Sequence, residues 1–485
     1  MKVYFNEYNI PMGNKVYLPL ASGMLKAYAE KHVYIKRHYE LMPFIFKRDT
    51  VDNLVAKHDN PRVACFSVSI WNYNLSIEVA KRLKQKYPKC LIIFGGPSAP
   101  KKETYPINFV IHGQGEIQFV DILLPYDLTQ SDFINCLPSP YTTGQFDYLL
   151  NDGTEYQAII ETNRGCHHGC YYCYWGSGKK KYEFFDLKRI KEEADWMGRN
   201  KIKYVFCADS NFGTFKRDVE ISQTYADVKA KYGYPEKFRV CYGKTNTENI
   251  FKAAKILSKA RLAKAITMSR QTNNNAAMVN VGRKNIPKTI FDDLQKKYED
   301  AGIYTYSEFI LGLPGETSKT FKEGISDILK TKTKLFIYHC TVLPNTKMAN
   351  PEYQKKHGIK TVRVPISEIH CEIRKQGSVI EYEDIIIETN TMTKKDWIDC
   401  AAFSWIVQLK HSLKLPSMYL RKGIIQKFYK IAEGITEGKT RGQIDKRFGN
   451  IYWEPEEAAY LDVMYKTGDP VEFAKQEILY GRKGR

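Results

Sequence analysis

The stretch GCHHGCYYCYW, residues 165–175, sets Cys166, Cys170 and Cys173 within a single short turn. Three thiols at C-x3-C-x2-C spacing do not make a closed structural zinc site, because tetrahedral zinc wants four protein ligands. His167 and His168 are candidates for the fourth, at the cost of strain in so tight a loop. A cubic iron–sulfur cluster also wants four ligands, so three thiolates leave one iron open to a substrate or cofactor. Tyr171, Tyr172, Tyr174 and Trp175 bring aromatic shielding, one lever on reduction potential. A chance cluster of cysteines is the bland alternative.

The strand-like run QAIIETNRG (157–165) leads into the turn. Further strands read as YVFCADSNFG, KFRVCYGKT, AKAITMSRQ, IYTYSEFILGLPGE and LFIYHCTVLP, with amphipathic helical stretches between them. Five or six βα units in succession predict a full or partial (β/α) barrel over residues 150–345. The cysteines then fall at the carboxyl end of its first strand, the face where such barrels keep their active sites. Ahead of it, KVYF, HVYIKRHY, VACFSVSI, CLIIFGG and NFVIHG read as strands of a doubly wound, Rossmann-like α/β domain over residues 1–140. The Pro- and Gly-bearing loop CLPSPYTTGQFDYLLNDGTEY marks the boundary. Residues 346–485 read as mixed and then mainly helical, a substrate-capping region; Trp397, Trp405, Tyr452 and Trp453 line a site or, as aromatics at helical spacing more often do, fill the core.

Composition sets bounds. The chain has 485 residues, 43% hydrophobic and 26% charged, an ordinary globular mixture sufficient for two to four domains. No charge-free apolar run approaches the ~18 residues of a membrane span, and the N-terminus lacks an apolar leader, so a cytoplasmic, membrane-free protein is expected. The eleven cysteines are odd in number and scattered, which argues for a reducing compartment and small buried thiols rather than disulfides. The net charge of +20 is open to a nucleic-acid surface, an acidic partner or simple solvation, and no RNA-binding aromatic motif accompanies it.

The cysteine spacing resembles that of the radical S-adenosylmethionine (SAM) superfamily, and the context resembles it too. ADSNFG (208–213) ends the second barrel strand, TMSRQTNNNAAMVNVGRKNI (267–286) is similar to the segment of the ribose contacts, and EFILGLPGET (308–317) to the adenine-contacting strand and loop. The resemblance covers about residues 155–345. It implies a 4Fe-4S cluster on Cys166, Cys170 and Cys173, and a SAM pocket with Tyr172, Asp209, Ser269, Gln271 and Gly312. In that superfamily the methionine end of SAM binds the open iron, and the reduced cluster cleaves the sulfonium to a 5′-deoxyadenosyl radical.

The first domain ends successive strands with FSVSIWN (66–72), IFGGPSAP (93–100) and IHGQGE (111–116). These resemble the cobalamin-binding domain fused to one large branch of radical SAM enzymes. The likeness implies cobalamin contacts from Ser67, Ser69, Gly95, Gly96, Gly115 and Glu116. The Asp-x-His-x-x-Gly motif of some cobalamin proteins is absent, with YNIPMGN in its region, so no protein histidine is expected on the corrin's lower face. No G-x-G-x-x-G follows the first strand, which leaves a dinucleotide site poorly supported.

Together the resemblances imply a cobalamin-dependent radical SAM C-methyltransferase acting on unactivated carbon of a peptide or natural product. An acidic flavodoxin- or ferredoxin-type donor suits its charge. Two alternatives stand beside this reading: a cobalamin-dependent radical cyclase or rearrangement enzyme without net methylation, and a basic iron–sulfur protein that binds nucleic acid or a partner without radical chemistry.

Overall fold

A computed structural model describes residues 1–125, 134–175, 181–243, 247–263, 265–331, 333–366, 378–411, 422–439 and 441–444. Lys244, Cys371, Tyr452, Trp453 and the helix expected over 455–480 lie outside the described residues.

The first sheet is built from β1 (Lys2–Asn9), β3 (Glu40–Lys47), β4 (Pro61–Ser67), β5 (Leu91–Gly95) and β6 (Phe109–Ile111), in the order β3-β1-β4-β5-β6. Every pairing is parallel. Counted along the sheet this is the flavodoxin-like 2-1-3-4-5 order, whose switch point lies between its first and third strands, here β1 and β4. Helices cover both faces, so the strands are near-continuous apolar runs, as β5 (LIIFG) shows.

One expected strand is not a strand. HVYIKRHY forms the helix Val33–His38, which buries Ile35 and stacks Lys36, Arg37 and His38 in its last turn, where the helix dipole favours positive charge. The strand lies one step later, in β3, whose sequence ELMPFIFK carries an interior proline that masks it.

The second parallel assembly holds β7 (Glu155–Ile160), β10 (Tyr204–Phe212), β11 (Lys237–Tyr242), β12 (Ile266–Thr267), β13 (Thr305–Leu311) and β14 (Lys334–His339). It forms two abutting sheets, β11-β10-β7-β2 and β12-β13-β14. The extra member, β2 (Lys15–Tyr17), comes from the first twenty residues and pairs in parallel with β7. This is a partial barrel whose outer wall and first sheet share one continuous hydrophobic core, running from Val3 and Phe5 to Ile221 and Phe238.

The C-terminal region carries, after the short helix Pro351–Lys356, an antiparallel pair, β15 (Lys360–Pro365) and β16 (Tyr382–Glu388), ahead of its longer helices. β16 sits on the barrel's carboxyl end, where the Ile386 N–H donates to the Cys340 carbonyl at 2.9 Å. The buried Glu381 carboxylate accepts from the N–H groups of Asn74 and Leu75 at 2.8 and 2.9 Å, capping a first-lobe helix. Trp397 and Trp405 are core residues, packed on His339.

Candidate active site

Two short strands, β8 (Asn163–Arg164) and β9 (Glu183–Phe184), pair antiparallel and close the base of the cysteine turn. Gly165 opens the turn at φ +110°, and a Cβ there would lie 2.4 Å from the Lys181 carbonyl oxygen. Only glycine allows both the backbone conformation and that approach.

None of the three cysteines is in a disulfide, and each is of intermediate exposure. Their sulfurs are not bare. The Asn211 amide donates to Cys166 Sγ at 3.3 Å, and the Trp175 N–H to Cys173 Sγ at 3.3 Å. Hydrogen bonds to sulfur stabilise the thiolate and tune a cluster held by it. Among the described residues no three His, Cys, Asp or Glu side chains are arranged to hold a single ion. His167 is engaged with the Tyr182 hydroxyl at 2.8 Å. The zinc alternative thus lacks its convergent fourth ligand. The irons of a cluster lie at separate corners, so its thiolates need not converge, and the donor set here fits one.

The turn is held from several sides. The Tyr171 N–H donates to the Val281 carbonyl at 2.9 Å, and the Tyr171 carbonyl accepts from the Met348 N–H at 2.9 Å. The Trp175 indole donates to the Ala208 carbonyl at 2.8 Å, laying the ring 6.3 Å from Phe206. The SAM-segment residues converge on it. Arg283 donates to the Tyr172 hydroxyl at 3.2 Å and to the Ser269 carbonyl at 2.8 Å. Burial, partly offset by Arg283, raises the Tyr172 pKa, and the neighbouring Cys170 adds to the rise. The Ser269 hydroxyl donates to the Glu308 carboxylate. Gln271 sits at φ +66° and joins β13 through its N–H to the Glu308 carbonyl at 2.7 Å.

Two SAM candidates occupy other positions. Asp209 is fully buried, and its carboxylate accepts from the Thr162 N–H and Asn163 amide at 2.8 Å each, as well as from the Thr162 hydroxyl. Burial raises its pKa to about 6. On the alternating β10 strand it points outward with Cys207, so it fixes the strand that delivers the cysteines instead of lining a pocket. Gly312 packs against the hairpin, since a Cβ there would meet the Ile386 carbonyl oxygen at 3.0 Å.

At the first sheet's carboxyl ends, Ser67 and Gly95 are half-buried and Gly96 exposed, at the face where such sheets bind ligands. These small residues fit a large flat ligand. Gly96 also has a packing reason to be glycine, because a Cβ would lie 2.6 Å from the Val68 carbonyl oxygen. Ser69 is buried, its N–H bonded to Asn72 Oδ1 at 2.8 Å. Gly115 is half-buried in the first turn of its helix. Glu116 is buried and turned away, its carboxylate gripping Arg164. Arg164, Asn211 and Glu308 acquire their roles only in three dimensions; no spacing rule singles them out.

A parallel sheet of flavodoxin order lies beside a partial barrel with three thiols at its mouth, two of them hydrogen-bonded. Residues 160–328 match the family model described as the radical SAM superfamily. The chain is 30% identical over 464 residues to 2-(S-pantetheinyl)-carbapenam-3-carboxylate methyltransferase of Streptantibioticus cattleyicolor, covering 87% of this chain and 67% of that protein. It is 29% identical over 498 residues to the cobalamin-dependent radical SAM methyltransferase TokK of Streptomyces tokunonensis, covering 93% and 71%. The solved radical SAM methyltransferase TsrM from Kitasatospora setae has the same fold, with a TM-score of 0.62 over 96% of this chain and 99% of that one at 13% identity. The chain belongs to the cobalamin-dependent radical SAM methyltransferases. Their cofactors are a 4Fe-4S cluster, SAM and cobalamin, and among the described residues no helix is long and apolar enough to cross a membrane.

Proposed function

We propose that this chain methylates an unactivated carbon of a small natural-product molecule, using residues 1–140 for cobalamin, 150–345 for the cluster and SAM, and 346–485 as a cap. The observation that carries the reading is the thiol turn: three sulfurs, two of them receiving N–H groups, tied through Arg164 to the helix that follows β6 of the first lobe. When bound, the cluster with SAM supplies hydrogen-atom abstraction, and methylated cobalamin supplies the methyl group.

In this reading Cys166, Cys170 and Cys173 hold the cluster. Asn211 and the Trp175 N–H donate to the sulfurs of Cys166 and Cys173 and hold them in place. Arg283 fixes the Tyr172 phenol and the Ser269 carbonyl around SAM, with Gln271 alongside. Ser67, Gly95, Gly96 and Gly115 border the corrin, and Trp175 with Phe206 excludes water from the reacting carbon. The net charge of +20 suits an acidic flavodoxin- or ferredoxin-type donor in the cytoplasm. The carbapenam named for one relative supports a small molecule over a peptide.

Anaerobic reconstitution with iron, sulfide and hydroxocobalamin tests the reading. The wild type takes up a cluster and a corrinoid, and a Cys166→Ala/Cys170→Ala/Cys173→Ala variant takes up the corrinoid alone. An intact cluster in the triple variant rejects the site. A product no heavier than the substrate by one methylene rejects methylation.

A further inference from the structure

We propose, resting on that reading, that the barrel chamber beneath the thiol turn recognises a carboxylate on the substrate through Arg239. The inward direction follows from alternation. On β11, Phe238, Val240 and Tyr242 are buried, the first stacked on Tyr225 under the outer helices at 3.9 Å, which turns Arg239 and Cys241 to the opposite, inner face. Tyr204 and Phe206 of β10, and Tyr306 and Glu308 of β13, alternate the same way.

The chamber is aromatic. Tyr204 lies 6.3 Å from Tyr17 of β2, and Tyr306 lies 5.4 Å from Phe336. Phe336 and Tyr338, in register with Glu308 and Ile310, are 45% and 51% exposed. Large rings exposed side by side on a concave face mark a binding surface.

Arg239 brings a cation to this chamber, with the phenols of Tyr204 and Tyr306 and the thiol of Cys241 close by. The nearby carboxylates are engaged elsewhere, Glu308 with Ser269 and Asp209 with Thr162 and Asn163. The neighbouring Lys237 ammonium turns away to the Arg261 carbonyl at 2.9 Å. The planar fork of the Arg239 guanidinium matches the two oxygens of a carboxylate. The position also suits the chemistry. Arg239 is in register with Phe206, the residue on which Trp175 rests, so the group it grips lies one layer below the thiol turn.

The test uses reconstituted full-length holoenzyme, with 4-bromobenzoate and its methyl ester as probes. Calorimetry gives the two affinities, and bromine anomalous scattering from crystals gives the place. The acid binds between Tyr306 and Phe336, and the ester binds about tenfold more weakly, the ratio a charge-assisted hydrogen bond sets. Arg239→Met abolishes that ratio and Arg239→Lys retains part of it. Equal affinities in the wild type, no binding of the acid, or bromine outside the chamber overturns the proposal without any variant. Reductive SAM cleavage is followed in the same wild-type preparation. Its absence defeats the radical-enzyme reading, whereas cleavage with a ratio of one defeats the carboxylate subsite alone.

Discussion

Arg164 donates to both carboxylate oxygens of Glu116, at 2.7 and 3.2 Å, and so clamps the residue before the thiol turn to the first helix past β6. Glu161 accepts from the same guanidinium at 2.9 and 3.0 Å, and Phe185 lies against its face. One side chain therefore sets the spacing between the cluster turn and the first lobe.

Breaking that clamp is expensive. The Arg164 and Glu116 side chains are 15% and 4% exposed. Removing Arg164 costs ~3–5 kcal/mol, because the buried Glu116 carboxylate is left stranded, whereas removing Glu116 leaves Arg164 its pair with Glu161 and costs less. Arg164→Met and Glu116→Gln each lower the midpoint of chemical denaturation, and the double variant loses less than the two losses added. Additive losses would refute the coupling.

Asp209 is a positioning residue. Asp209→Ala leaves the donors of Thr162 and Asn163 unpaired at ~1–3 kcal/mol each. Because those residues begin the turn, the variant holds less iron and sulfide per chain after reconstitution, with a broadened cluster spectrum. Asp209→Asn, which keeps the shape, recovers part of the iron. A full iron complement in the alanine variant would assign Asp209 to stability alone.

Cys241 lies near Cys173, yet burial pushes its thiol up to about 11. It lies on β11, outside the three-cysteine turn, and the cluster assignment leaves it out. Cys241→Ala retains the wild-type absorption and paramagnetic spectra, whereas replacing Cys166, Cys170 or Cys173 singly abolishes them. A lost cluster in Cys241→Ala would make it a fourth ligand.

Asp218 gives a pH test. Its carboxylate is buried and accepts from the Gly213 and Phe215 N–H groups at 2.8 and 2.9 Å. Burial raises its pKa from 3.8 to about 7. A raised carboxylate favours the folded state below its unfolded pKa, and that contribution is lost as pH rises through the folded value. Asp218→Asn removes this loss, so its stability relative to wild type improves between pH of about 4 and about 7, at up to ~1.4 kcal/mol per pH unit. Thermal melts across that range measure it, and a constant offset would contradict the assignment.

The lobes and the thiol turn were legible because hydrophobic periodicity and local spacing are written along the chain. The run YVFCADSNFG placed β10 correctly. The partners of Asp209 were not legible. An acid at a strand end reads as a ligand until its partners are seen, and Thr162 and Asn163 stand 47 and 46 residues away. Glu116 misled in the same way. β3 was hidden by Pro43, and β2 is too short for any period to show.

That three-residue strand has a consequence for ancestry and engineering. Because β2 is spliced beside β7 from the far end of the chain, the two lobes are not interchangeable beads. Swapping the leading lobe for a relative's also exchanges a wall of the reaction vessel, Tyr17 included. A graft that preserves only the visible boundary will change which molecules the barrel admits.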